Sequence, residues 1–164
     1  MNKRDQLGFT ILELMFTVAI AAVIVGIGIP NMQTVIWNNR TATQVNELVS
    51  ALNLARSEAV AQGVDVYIIP NVGNDWTTGW RVMADSDDDR VYAEAADQTI
   101  RLFDPVRDMA FPAAPNQVVF RPTGEASDTA TYVMLPDKCS TVNRQRRLTI
   151  ALAGFVELSR ENCP

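Results

Sequence analysis

Residues 9–36 carry a single charged side chain, Glu13, and this run limits what the chain can become. Twenty or so apolar residues, rising about 1.5 Å each in a helix, span a bilayer core of roughly 30 Å. Lys3 and Arg4 precede the run, and their charge favours holding that end in the cytoplasm. A secretory signal peptide is cut after its apolar core. Here the candidate cut, after Gly8, lies before the run, which therefore stays in the mature chain. Pro30 falls at the membrane edge, where it costs little and bends the helix. A carboxylate at Glu13 costs roughly a few kcal/mol in such a helix and calls for a partner. The alternative is that it lies shallow enough to reach headgroups or water.

The string KRDQLGFTILE at residues 3–13 resembles the class III leader of type IV pilins and type II secretion pseudopilins. Gly8, Phe9, Thr10, Leu12, Glu13 and Leu14 fit the G-F-T-L-I-E-L pattern, with Ile11 and Leu12 in swapped order. The resemblance implies that a prepilin peptidase cuts between Gly8 and Phe9 and methylates the new amine of Phe9. It also implies assembly roles for two residues. Glu13 would meet the free N-terminal amine of a neighbouring subunit, and Pro30 would kink the helix.

The chain has 164 residues, 14 of them basic and 19 acidic, and no histidine. Removing residues 1–8 takes away Lys3, Arg4 and Asp5, a net +1, so the formal charge goes from −5 to −6. That balance argues against nucleic-acid binding by the whole domain, while leaving room for a local basic patch. The missing histidine removes most hydrolase and zinc-site readings. About 100 residues follow the long N-terminal segment, enough for one small core. The export that the leader implies makes a disulfide between Cys139 and Cys163 the expected pairing, contributing roughly 3 kcal/mol. Two free buried thiols are the alternative.

After Pro30 the pattern stays helical. Val45, Leu48, Leu52, Ala55 and Ala59 form one apolar stripe, and Gly63 offers a left-handed stop, so the spacing predicts a helix over 9–62. Strand character follows at 64–69, 79–84, 99–103, 117–121, 131–135, 147–151 and 155–159. Turn-rich pieces lie at 71–75, 85–90, 112–116 and 122–128. One long helix followed by runs of strands predicts an α+β fold, with antiparallel sheets against that helix. The expected organisation is a leader at 1–8, a transmembrane or filament-core helix at 9–30, its amphipathic second half at 31–63, and a β-rich head at 64–164. Four features further resemble the GspH/FimT/FimU group of minor pilins and pseudopilins. They are ARSEAVAQG at 55–63, Trp76 followed by Gly79-Trp80, an acidic turn after Val82, and VVFRPTGEAS at 118–127.

Four local features invite a chemical reading. Asp85, Asp87 and Asp89, with Asp88, match the start of a calcium loop, but Arg90 replaces its turn glycine and Ala96 its bidentate glutamate. A solvated acidic turn is the reading adopted, with no metal and no cofactor. Lys138, Arg144, Arg146 and Arg147 form a basic cluster that Arg160 can join across a hairpin, a candidate DNA contact. Some FimT-type pilins are thought to bind DNA through a basic G-R-x-R segment; here Gly154 is followed by Phe155, Val156 and Glu157. Trp76 and Trp80 flank a Thr-Thr-Gly turn and are read as covering the core edge. Ser57-Glu58 has no base in view, so the chain is not read as an enzyme.

The resemblance therefore implies a minor pilin that takes part in type IV pilus assembly, with other major and minor pilins as partners, in a priming or tip complex. Such a chain is single-pass in the inner membrane with a periplasmic head, and then enters the pilus fibre at the cell surface. A GspH-like pseudopilin of a type II secretion system and a FimT-like DNA-uptake pilin are the alternatives.

Overall fold

The computed structural model describes residues 9–87 and 97–164, with backbone alone for 27–31. The chain divides into two compact units, Met1–Ile36 and Trp37–Pro164. One helix, α1 (Ile11–Gln62), contributes to both. Its start is capped as the sequence allows: the Thr10 hydroxyl accepts a hydrogen bond from the Glu13 N–H at 3.2 Å. This is half of a capping box, with a threonine at the cap and a glutamate three residues on. Its end is the expected left-handed glycine, Gly63 at φ 73°, whose N–H donates to Ala59 O at 3.0 Å.

In the first unit, every large apolar side chain described between Phe9 and Ile36 is exposed. Among the residues with described side chains, no helix is long and apolar enough to cross a membrane, and 27–31 interrupt the run there.

The second unit is built on the other half of α1. Val45, Leu48, Leu52, Ala55 and Ala59, joined by Ala51, are almost fully buried and share one core with the sheets. Eight strands follow: β1 (Val66–Val72), β2 (Asp75–Ala84), β3 (Gln98–Leu102), β4 (Met109–Ala113), β5 (Val118–Phe120), β6 (Ala130–Pro136), β7 (Gln145–Ile150) and β8 (Val156–Glu161). They form two four-stranded antiparallel sheets, ordered β3-β2-β1-β5 and β4-β6-β7-β8. The expected α+β architecture is the one observed.

Three expectations are corrected. The piece 112–116, read as a turn, begins inside β4. Proline hides this strand from the sequence, yet Pro112 is tolerated because β4 is an edge strand whose register shifts between Ala110 and Ala113. The strand expected at 64–69 does not end there but runs on to Val72. Pro70 pairs with Trp80 and lies beyond the reach of β5, which pairs only with Val66–Ile68. The Thr-Thr-Gly segment is not a turn but the middle of β2. The turn is Gly73-Asn74, one step earlier, with Val72 paired to Asp75. Gly79 takes φ 85° within the strand, and only glycine fits there, since a Cβ would lie 2.4 Å from Phe103 O.

Trp76 and Trp80 consequently sit in the core rather than at its edge, 1% and 0% exposed. The Trp76 ring meets Tyr132 edge-on at 4.8 Å, and its indole N–H donates to Pro115 O at 2.7 Å. Trp80 stacks on Phe103 at 5.7 Å. Burial pushes the Tyr132 phenol well above its usual value.

Candidate functional site

Two regions gather the residues singled out in the sequence: the start of α1 and the C-terminal sheet. At the first, Gly8 lies outside the described residues, and so does the side chain of Pro30. Phe9 is exposed, and Glu13 sits exposed in the first helical turn. A carboxylate there complements the positive end of the helix dipole. Thr10 and Glu13 thus have a local reason to be where they are, besides any contact with another subunit.

Where α1 enters the head, Trp37 is half-buried. The Arg40 guanidinium lies 5.3 Å and the Lys138 ammonium 5.2 Å from its ring centroid. Arg40 also pairs with Asp108, a non-glycine residue at φ 59°. Lys138 is thereby engaged by the Trp37 ring. A second tie lies further along α1. Arg56 donates to Gly124 O at 2.8 Å and to Ala153 O at 3.2 Å, with its guanidinium 4.8 Å from the Phe155 ring. It joins the helix to the 122–126 loop and to the β7–β8 hairpin. The ARSEAVAQG and PTGEAS stretches therefore meet in space through one side chain. Nothing in the residue pattern signals this contact beyond the two stretches themselves.

At the C-terminus Cys139 and Cys163 are joined as a disulfide, with Cα atoms 5.8 Å apart. Buried Asn143 braces the loop between them: its side-chain N–H donates to Lys138 O at 3.2 Å and its backbone N–H to Ser140 Oγ at 3.0 Å.

The basic cluster does not form one face. β7 alternates inward and outward, placing Arg146 on the core side with Leu148 and Ile150, and Arg147 on the other. Arg147 holds Glu161 by two hydrogen bonds, at 2.5 and 3.1 Å. This fork keeps the Glu161 carboxyl below its usual range and raises Arg147. Arg144 donates its Nε–H to Thr141 O at 3.0 Å. Arg146, 3% exposed, donates to Arg144 O and pairs across the strands with Arg160. Burial depresses the Arg146 guanidinium, and the charges of Arg160 and Arg144 add to this.

In the acidic turn, Asp85, Asp87 and Asp97 bring one carboxylate oxygen each within 4.8 Å of one another. Asp88, Asp89, Arg90 and Ala96 lie outside the described residues. Asp97 was not among the candidates, because nothing in the spacing relates it to 85 and 87. Its carboxylate accepts from the Ser86 N–H at 3.2 Å, which closes the turn onto the start of β3. Ser57 donates its hydroxyl to Leu54 O at 2.8 Å, a bond within its own helix.

Comparison with known proteins brings these features together. The family model described as type II transport protein GspH matches residues 44–154, more than half of the chain. A prokaryotic N-terminal methylation motif matches residues 3–29. No curated protein matches the chain in sequence. Among solved structures, the type IV minor pilin FimU of Pseudomonas aeruginosa (strain PAO1) is similar with a TM-score of 0.57 at 22% identity, over 72% of this chain and 91% of that one. A second crystal form of FimU gives 0.52 at 25% identity, over 71% and 91%. The minor pseudopilin EpsH from the type 2 secretion system of Vibrio cholerae gives 0.54 at 14% identity, over 77% and 99%.

Proposed function

We propose that this chain, which belongs to the GspH family of type IV pilin-like proteins, is a minor pilin taking part in type IV pilus assembly within a priming or tip complex. One observation carries the reading: a helix whose large apolar side chains between Phe9 and Ile36 are all exposed where described. A helix that is apolar on every side needs a bilayer or other apolar helices around it. The run 9–29 supplies the bilayer length, and the methylation motif over 3–29 supports cleavage after Gly8 and methylation of Phe9 by a prepilin peptidase. The chain is then held in the inner membrane with its head in the periplasm, and passes from there into the fibre.

Assembly on this account has two contributions. The helices of successive subunits pack together, with Glu13 in the first turn offering its carboxylate to the free amine of a neighbour. The head, fixed to α1 by Arg56 and by the Trp37 cluster, presents lateral surfaces to other pilins. Glu13→Ala tests the first part. The variant is expected to insert in the membrane normally and to enter fibres at least several-fold less than wild type, measured by immunoblot of the sheared fibre fraction. Equal incorporation sinks the role of the carboxylate.

The name of the matching family model favours a second reading, a minor pseudopilin of a type II secretion system. Deleting the gene separates the two. Loss of surface fibres supports the pilus, and loss of secreted protein with fibres intact supports the secretion system.

A further inference from the structure

The face of the C-terminal sheet that carries Arg146 has a charge arrangement that assembly of the helix does not explain. Arg146 on β7 stands opposite Arg160 on β8, and Arg144 lies two residues before Arg146. Like charges directly opposite across two strands destabilise a sheet. Strand alternation sends the nearby acids away: Glu157 and Glu161 fall on the opposite face from Arg160, and Glu161 is held there by Arg147 and Gln145. Among the described residues, no carboxylate lies within ion-pair distance of Arg144, Arg146 or Arg160. The buried Arg146 has one hydrogen bond, to a neighbouring carbonyl, and its remaining donors have no partner among the described residues. Those donors of Arg146 reach the surface of the head, where three like charges gathered together repel one another and a counter-ion relieves the repulsion. Desolvation and the two neighbouring charges depress its pKa in the sense this geometry requires.

We infer that Arg144, Arg146 and Arg160 form an oxyanion site on the head whose occupant is a carboxylate side chain of a partner subunit. Three planar guanidinium forks offer paired N–H donors that match a carboxylate. A polynucleotide is disfavoured because the mature chain carries a net charge near −6 and the fourth arginine of the cluster, Arg147, is already spent on Glu161. A single carboxylate meets the local positive charge without the long-range repulsion that a polyanion encounters. The choice of a partner subunit rests on the assembly reading. The anion site itself does not, so the two fail separately.

The probe is glutarate, added to the full mature chain in neutral detergent, with chloride at equal ionic strength as the reference. Melting is followed by tryptophan emission. An occupied site is expected to raise the melting temperature by about 2–3 °C over chloride at concentrations above the dissociation constant. Arg160→Gln and Arg144→Gln, both at exposed side chains, should each abolish most of that rise. Glutarate indistinguishable from chloride, or a rise undiminished in both variants, overturns the site. A single-stranded oligonucleotide that competes with glutarate at far lower concentration overturns the choice of a partner carboxylate.

Discussion

Replacing both cysteines by serine removes the one covalent tie in the head, and its effect can be worked from the chain. Cys139 and Cys163 are 24 residues apart. The loop-entropy relation for that separation gives about 3.4 kcal/mol at 25 °C, acting through the unfolded state. The native state has little to lose in addition. β6, β7 and β8 pair continuously, and Asn143 holds the enclosed loop through Lys138 O and Ser140 Oγ. The unit Trp37–Pro164 is intermediate between the size classes for which 1 kcal/mol shifts a melting midpoint by about 4–8 °C and about 2–4 °C. The double variant is therefore expected to melt about 10–15 °C lower. Trp76 and Trp80 lie in the head core, so the red shift of their emission reports unfolding of the head rather than of the rest of α1. A fall of less than about 3 °C refutes the reasoning, because it means the unfolded chain gains little freedom when the bridge is absent.

Two further outcomes follow from the geometry. Gly154 and Gly63 both have positive φ, but a Cβ on Gly154 would lie 2.1 Å from Gly124 O and 2.8 Å from Arg56 Nε, whereas Gly63 has nothing within 4 Å. Gly154→Ala should cost about 3 kcal/mol and Gly63→Ala about 1 kcal/mol by chemical denaturation, with the gap measuring the contact; equal costs would show that the hairpin yields freely. Glu161 has a carboxyl pKa lowered by Arg147, so its contribution is present above the unfolded carboxylate value near about 4.3 and is lost as pH falls through the lower folded value. Glu161→Gln should melt below wild type at pH 7 and converge with it under acid conditions, and parallel melting curves across that range would contradict the pairing.

The contrast between what the sequence revealed and what it hid has a physical basis. Val45, Leu48, Leu52, Ala55 and Ala59 are legible because a helix buries one stripe, and Gly63 because few other residues take its φ. These signals are local. β4 was hidden because Pro112 reads as a breaker, and only the neighbouring β6 shows that its strand is an edge. The length of β2 was hidden because Gly79 is set by the backbone of Phe103 and Asp104, more than twenty residues later. Arg56 looks like any solvated helix residue until Gly124 and Ala153 are brought beneath it. The basic cluster was half legible. With the strand started at Arg147, its alternation was out of view. Starting it at Gln145 sends Arg146 inward and Arg147 outward, which divides the cluster.

The most direct test of the account is the mass of this chain recovered from sheared surface fibres. The prediction is a single mature form that begins at N-methylated Phe9, with Gly8→Ala leaving the full leader attached and no chain in the fibre fraction. A fibre-borne chain that still begins at Met1, or one cut beyond residue 30, would contradict a retained and exposed helix as the basis of assembly.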